Sequence, residues 1–166
     1  MDIVIRDVSE TDAARIAAIY GHHVLNGTAS YEVDPPSEAD TLARIRRITG
    51  ESWPFLVAEA DGEVAGYAYA TQFRDRAAYR FTAEDSIYVD VRRTGAGIGR
   101  ALLRALIERS TAYGFRTMVA VIGGAEPASI ALHATFGFIE VGRLRGVGFK
   151  FRQWLDSVYM QRELSG

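Results

Sequence analysis

The chain lacks cysteine altogether, and it has only three histidines among its 166 residues. Without cysteine there is no disulfide framework, no thiolate nucleophile and no cysteine zinc site, and a cytoplasmic location is the simpler expectation. Three histidines are too few to predict a metal site. We therefore expect no metal cofactor.

The chain also lacks a large excess of positive or negative charge, and it lacks long apolar runs. The formal net charge is −2 at pH 7, so no basic field favours nucleic acid. No apolar run approaches the roughly 20 residues of a membrane span, and the chain starts with a short apolar strand where a signal peptide would stand. We expect a cytoplasmic protein without nucleic-acid or membrane partners and, at this length, one domain over residues 1–166.

Hydrophobic periodicity divides the chain into strands and helices. Ser9 and Ser37 precede helical stripes as N-caps, and Asp61-Gly62 joins two apolar runs as a hairpin turn. A helix over 98–113, ended by Gly114, connects two central strands as a strand–helix–strand unit. Strands are predicted over 3–5, 55–60, 64–71, 86–89, 117–122, 138–144 and 158–164. The fold class is α/β (α+β), with helices around a mixed, largely antiparallel sheet.

The most informative stretch is SIYVDVRRTGAGIGRALL, in which a β-branched strand enters a glycine-rich turn that opens a helix. Gly95, Gly97 and Gly99 alternate with single larger residues, so the backbone can come close to a ligand. The N–H groups of the first helical turn have no partner within the helix. A phosphate or pyrophosphate fits such a site.

Two common phosphate-binding loops do not match this turn. A dinucleotide fold needs G-x-G-x-x-G, but Arg100 or Leu102 stands in place of the third glycine. It also needs an acidic residue at the end of the next strand, where this chain has Val121-Ile122-Gly123. A P-loop needs a lysine directly after its last glycine, and no lysine follows a glycine here. The remaining pattern is G-x-G-x-G after a central strand.

This pattern resembles the GNAT superfamily of N-acetyltransferases, in which a pyrophosphate loop of the form [QR]-x-x-G-x-[GA] follows a strand. The stretch 129–138 is similar to a second GNAT motif, a helix that ends at a G-[FY] turn. Segments 73–84, 119–123 and 148–162 resemble the phosphinothricin and methionine sulfoximine acetyltransferases in particular. The similarity covers nearly the whole chain.

The resemblance implies acetyl-CoA as cosubstrate, bound where two parallel strands splay apart. Strand backbone would pair with the pantetheine amides, and the glycine loop would hold the pyrophosphate. The residues implied on this side are Ile87, Tyr88, Val89, Thr94, Gly95, Ala96, Gly97, Ile98, Gly99, Arg100 and Ser129. Thr94 stands where the family usually has arginine or glutamine, and Glu126 replaces a common asparagine.

The chemistry needs a proton acceptor, because an amine attacks a thioester only when it is unprotonated. The resemblance implies Glu84 as this general base, directly or through water, with Asp85 as the alternative carboxylate. It also implies that His133 returns a proton to the leaving thiolate; the alternative is a histidine packed within the fold. His22 and His23 are interpreted as exposed residues at a helix end.

Arg74 and Arg76 stand two residues apart, which in an extended chain points both guanidinium groups to one side as an anion clamp. The resemblance implies that they hold the carboxylate and the phosphinate or sulfoximine oxygens of an amino-acid substrate. Tyr31 and Phe73 would line the acceptor pocket. Solvated loop arginines and aromatic core packing are the alternatives.

The sequence thus predicts an enzyme that moves the acetyl group of acetyl-CoA to the α-amino group of a small anionic amino acid, such as methionine sulfoximine, methionine sulfone or phosphinothricin. Two alternatives stay open. One is an acetyltransferase for a polyamine or a protein N-terminus, of which Arg74 and Arg76 disfavour the polycation. The other is a non-catalytic acyl-CoA-binding module. The resemblance also implies a homodimer.

Overall fold

The computed structural model describes residues 1–164, which form a seven-stranded sheet with helices on both faces. The strands are β1 Ile3–Asp7, β2 Phe55–Ala60, β3 Glu63–Gln72, β4 Thr82–Val89, β5 Thr117–Gly123, β6 Ile139–Lys150 and β7 Gln153–Glu163. The helices are α1 Ala13–Asn26, α2 Glu38–Gly50, α3 Ile98–Tyr113 and α4 Pro127–Thr135. None of the helices within these residues is long and apolar enough to span a membrane.

The strand order is β1-β2-β3-β4-β5-β7-β6. Over the described part of the chain, β4 and β5 are the one parallel pair and all other neighbours run antiparallel. A parallel pair needs a crossover, and α3 supplies it. The predicted mixed sheet with a central strand–helix–strand unit is confirmed.

Two apolar layers fix the helices to the sheet. On one face, α3 buries Leu102, Leu103 and Leu106 completely against the central strands. On the other face, Ile16 of α1 and Ile45 of α2 pack with aromatic residues of β2 and β3. The apolar stripes at helical spacing therefore mark the buried faces.

The helix boundaries follow the capping signals in the sequence. At α2, the Ser37 hydroxyl accepts from the Asp40 N–H and the Asp40 carboxylate accepts from the Ser37 N–H, both at 3.0 Å. Gly114 ends α3 in the left-handed region, with φ of 117°. Ser9 caps a short 3-10 turn that leads into α1. All three signals were predicted.

Three strand boundaries were predicted wrongly. β4 begins at Thr82, so Glu84 lies inside the strand. β6 and β7 form one long hairpin, although the sequence interpretation ended one strand near residue 144 and began the next near 158. The turn between them consists of Phe151 and Arg152, both with positive φ. Neither residue type signals such a turn in a sequence.

Gly123, the last residue of β5, allows the loop after α1 to lie against the strand. A Cβ built there would lie 2.7 Å from the Ala29 carbonyl oxygen, so the backbone would have to shift. We expect Gly123→Ala to lower the free energy of unfolding by about 1–3 kcal/mol, the usual cost of overpacking.

The matched control is Gly142→Ala in β6, where an added Cβ meets no described atom within 4 Å. Urea denaturation of both variants measures the difference. Equal stabilities of the two variants would contradict the close approach at Gly123.

Candidate active site

The parallel pairing of β4 and β5 covers only three positions and ends at Glu84 opposite Val119. Beyond this point β4 stays paired with β3 as far as Val89, and β5 stays paired with β7 as far as Gly123. The inner edges of the two strands separate and have no ladder partner among residues 1–164. Such backbone groups require a hydrogen-bond partner from outside the sheet.

Alternation along β4 determines which backbone groups face this gap. The Phe73 N–H donates to the Thr82 carbonyl oxygen at 2.9 Å, so even-numbered residues of β4 bond to β3. The backbone groups of Ile87 and Val89 therefore point toward β5 and into the gap. These two residues form the free edge that suits an extended, amide-bearing ligand.

His23 contacts the same edge of β4. Its Nε2 lies 2.7 Å from the Val89 carbonyl oxygen, and its ring packs against Tyr88 with centroids 5.5 Å apart. The interpretation of His23 as an exposed residue was therefore wrong, whereas His22 is exposed. Because His23 occupies the Val89 carbonyl, the Val89 N–H and the groups of Ile87 are left for a ligand.

The glycine loop presents amide donors at the start of α3. Gly95 and Gly97 have φ of 79° and 87°, which glycine adopts without strain. No side chain among residues 1–164 caps the helix, and its first backbone bond runs from the Ala101 N–H to the Gly97 carbonyl at 3.1 Å. The N–H groups of Ile98, Gly99 and Arg100, which have no acceptor within the helix, are thus available to an anion such as a pyrophosphate.

Thr94 and Glu126, the two residues that depart from the family pattern, each form a hydrogen bond to a residue nearby in the sequence. The Thr94 hydroxyl donates to the Val91 carbonyl at 3.3 Å, within its own loop. Glu126 is the N-cap of α4, and its carboxylate accepts from the Ser129 N–H at 2.8 Å. Glu126 therefore stabilises the start of the helix.

A cavity of about 800 Å³ opens at the gap and reaches across the sheet to α1 and α2. Its wall includes Glu84, Ser86 and Ile87 of β4 and Ser129 and His133 of α4. The free strand edge and the Glu84 carboxylate therefore face one continuous space. A ligand at the edge and a second ligand near Glu84 would meet there.

Glu84 stands at the fork of the two strands, with a side chain that is 32% exposed. Burial raises the pKa of Glu84; Arg74, whose Nη1 lies 3.5 Å from Oε1, opposes the rise, and Asp85 adds to it. The net direction is upward. A carboxylate with a raised pKa is a stronger base than an exposed one.

Arg74 and Arg76 do not lie on an extended chain. Residues 73–76 form a bend, in which the Arg76 N–H donates to the Arg74 carbonyl and the Gln72 amide donates to both residues' carbonyls. The two guanidinium groups therefore do not form the predicted clamp on an extended chain, and that prediction of the local geometry was wrong. The Arg74 guanidinium stacks on Phe73, and Arg76 is exposed. Neither arginine nor Phe73 is among the described residues that line the cavity.

Two other arginines line the cavity, and the sequence interpretation missed both. Arg44 and Arg47 belong to α2. Arg44 stands three residues after buried Thr41 and four before buried Ile48, so it lies on the inward side of the helix. A cation on an apolar stripe is the signal that could have identified it.

Tyr31 lines the cavity, as expected from the sequence. Its hydroxyl lies 2.9 Å from the Asp156 carbonyl oxygen and accepts from the Gly124 N–H at 3.1 Å. These bonds join the loop after α1 to β7 and to the residue that follows β5. Tyr31 thus shapes the cavity wall and also holds the loop in place.

Asp85 and His133 form a buried pair on the other side of β4. Both residues are under 10% exposed, and Nε2 of His133 lies 2.8 Å from the Asp85 carboxylate. Nδ1 faces the Ser129 carbonyl at 2.7 Å. Since a carbonyl and a carboxylate only accept, the pair suits a doubly protonated imidazolium. Burial lowers the pKa of His133, but Asp85 and the Ser129 carbonyl outweigh it, and the net direction is upward.

Comparison with known proteins agrees with this architecture. The profile of the acetyltransferase (GNAT) domain family matches residues 5–159. This chain belongs to the GNAT acetyltransferases. It is 47% identical to the phosphinothricin N-acetyltransferase of Alcaligenes faecalis, over 97% of this chain and 82% of the relative.

Two further relatives are similar over almost their full length. The L-methionine sulfoximine/L-methionine sulfone acetyltransferase of Pseudomonas aeruginosa is 41% identical over 99% of this chain and 96% of its own. A GNAT phosphinothricin acetyltransferase from Sinorhizobium meliloti, crystallised with acetyl-CoA, superimposes with a TM-score of 0.97 at 51% identity, covering 99% and 90% of the two chains. This GNAT protein is therefore an acetyltransferase that uses acetyl-CoA, and the free strand edge and loop amides fit that cosubstrate. Residues 1–164 contain no cluster of acidic and histidine side chains that could hold a metal ion.

The Asp85–His133 pair predicts a specific loss of stability. Asp85→Ala leaves a buried imidazolium without its counter-charge, so we expect the free energy of unfolding at pH 6 to fall by about 3–5 kcal/mol. Asp75→Ala removes an exposed loop carboxylate and is the control. It should change the free energy of unfolding little. Urea denaturation is the measurement.

The same loss should depend on pH. The native pKa of His133 is raised, so the stabilisation by its charged form is complete below the unfolded value of about 6.5 and disappears as pH rises through the native value. The difference between the parent and Asp85→Ala should therefore shrink toward alkaline pH. A difference that stays constant would show that the pair is not charged.

Proposed function

We propose that this enzyme acetylates the α-amino group of a small amino acid or analogue of the methionine sulfoximine, methionine sulfone and phosphinothricin class. The observation that carries the proposal is the position of Glu84, a half-buried carboxylate with a raised pKa at the fork where the gap meets the cavity. Relatives named for these acceptors match nearly the whole chain, which supports the same class here.

On the donor side, we assign the coenzyme to the gap between β4 and β5. The backbone groups of Ile87 and Val89, on either side of Tyr88, pair with the pantetheine. The amides of Thr94 to Arg100 hold the pyrophosphate, and Ser129 lines the same space. Acetyl-CoA supplies the activated thioester. The free strand edge and the uncapped helix support this assignment.

Proton removal from the acceptor falls to Glu84, directly or through one water. Its negative charge attracts the ammonium form of the acceptor, and its raised pKa helps it to accept the proton. The adjacent Asp85 points to the opposite face of the sheet and is bound to His133, so it does not serve as the base.

His133 is the proposed source of the proton that the leaving thiolate requires. It lines the cavity, and its imidazolium form carries a proton on each nitrogen. Both N–H groups have partners, so transfer to the thiolate requires one of these hydrogen bonds to open. Asp85 or the Ser129 carbonyl then holds the ring in place.

On the acceptor side, Tyr31 shapes the cavity wall. Arg74 lies 3.5 Å from Glu84 at the cavity edge, and its cation holds the Glu84 carboxylate in place. We propose that Arg74 and Arg76 contact the acceptor's oxygens from this bent segment and that Phe73 packs beside the acceptor. The two cations of this segment favour an anionic acceptor over a polyamine.

We also propose a homodimer. β6 lies at the edge of the sheet, and the β6–β7 hairpin exposes several large apolar side chains. They are Ile139, Val141, Leu144, Val147, Phe149, Phe151 and Trp154. Many exposed apolar side chains on one edge hairpin favour a protein interface. Light scattering should give twice the mass of one chain; a monomer at micromolar concentration would contradict the proposal.

The test of the activity is Glu84→Gln, which keeps the shape of the side chain and removes its basicity. With L-methionine sulfone as acceptor we expect coenzyme A release to fall by about a hundredfold or more, with unchanged binding of acetyl-CoA. A thiol-detection assay measures the rate.

Glu38→Gln, at an exposed carboxylate at the start of α2, serves as the matched control. A Glu84→Gln variant as fast as the parent would remove Glu84 as the base. A parent that binds acetyl-CoA but acetylates no amino acid, while it acetylates spermidine or a peptide N-terminus, would contradict the acceptor class.

A further inference from the structure

Arg44 is a half-buried cation in the cavity wall that lacks a hydrogen-bond acceptor within the described part of the chain. Its side chain is 35% exposed, and its nearest carboxylate oxygen, on Glu32, lies 3.6 Å away, beyond hydrogen-bond distance. A guanidinium offers five N–H donors in a planar fork. Partly buried donors of this kind need acceptors, and the cavity is where one can reach them.

Glu32 is already engaged by another residue. Its Oε1 accepts from the Tyr20 hydroxyl at 2.8 Å. By contrast, Arg46 on the same helix forms a direct 2.8 Å bond to Glu10 on the protein surface. The N–H groups of Arg44 therefore have no hydrogen-bond acceptor among residues 1–164, while Glu32 balances part of the charge of Arg44.

Arg44 faces the same side of the sheet as Glu84. Even-numbered residues of β4 face α1 and α2: Tyr88 packs on Tyr20 with centroids 4.9 Å apart, and the Arg44 guanidinium lies 5.9 Å from the Tyr20 ring. Between Glu84 and Tyr88 stands Ser86, which also lines the cavity. Residues two apart on a strand are separated by about 7 Å. A small amino acid with its amine at Glu84 can extend over Ser86 toward Arg44.

We propose that Arg44 binds an anionic or strongly polar oxygen group of the acceptor and thereby positions its amine at Glu84. This role rests on the proposed amino-acid acetylation and adds the residue that selects the acceptor from the α2 side. The oxygens come either from the α-carboxylate or from the side-chain sulfonyl or phosphinate group. Both present the planar or forked oxygens that a guanidinium binds with two hydrogen bonds.

The experiment compares Arg44→Gln with the parent in steady-state kinetics with L-methionine sulfone. Loss of a hydrogen bond to a charged group predicts a roughly 10- to 100-fold lower kcat/KM, mostly through the KM of the acceptor. The KM for acetyl-CoA and the Tm should stay the same, which separates a binding role from a structural one. Arg44→Lys keeps the positive charge but lacks the planar guanidinium group. Its kcat/KM should lie between those of the parent and Arg44→Gln.

Arg46→Gln is the matched control, because it removes one cation from the same helix at a site outside the cavity. Two further acceptors distinguish the source of the oxygens: 3-(methylsulfonyl)propylamine, which lacks the carboxylate, and L-methionine, which lacks the sulfonyl oxygens. For the acceptor that lacks the group bound by Arg44, Arg44→Gln and the parent should have the same kcat/KM. For the other acceptor, the kcat/KM of Arg44→Gln should remain lower than that of the parent.

Arg44→Gln kinetics equal to those of Arg46→Gln, or an equal penalty on all three acceptors, would overturn the role of Arg44 while leaving the proposed function intact. A parent that turns over none of the three acceptors would contradict the proposed function itself, and the role of Arg44 with it.

Discussion

The separation of β4 from β5 after Glu84 is the constraint on which the rest of the site depends. Each strand remains fully paired on its outer side, with β3 and β7 respectively, so the gap between them is held open by the sheet itself. The unpaired inner edge needs an external partner. The chain passes from the end of β4 through the glycine loop into α3. The gap therefore has the free amides of this loop at one end and Glu84 at the other.

The twofold alternation of a strand assigns neighbouring carboxylates to different tasks. Glu84 faces the cavity beneath α1 and α2, where partial burial raises its pKa. Asp85 faces α4, where its charge is matched by the His133 imidazolium. The first group keeps a reactive charge accessible, and the second fixes α4 against the sheet. One residue of register therefore places the proposed base on the α1–α2 side of the sheet and the Asp85–His133 pair, with the proposed proton donor, on the α4 side.

Features with a local cause could be predicted from the sequence, and features that arise from long-range packing could not. The conformation at Gly97 and the end of α3 at Gly114 follow from backbone preferences that the sequence displays. The Asp85–His133 pair joins residues 48 positions apart, and only the fold brings them together. The bend at Arg74 was missed because its hydrogen bonds come from neighbouring backbone and the Gln72 amide, which strand alternation ignores.

In the proposed enzyme, the fork between β4 and β5 brings the two substrates together at Glu84. A crystal structure with coenzyme A and L-methionine sulfone tests it most directly. We expect the pantetheine along Ile87 and Val89, and the acceptor amine within hydrogen-bond distance of the Glu84 carboxylate or one water away. Coenzyme A outside the gap between β4 and β5, or an acceptor amine on the His133 side of β4, would contradict the account.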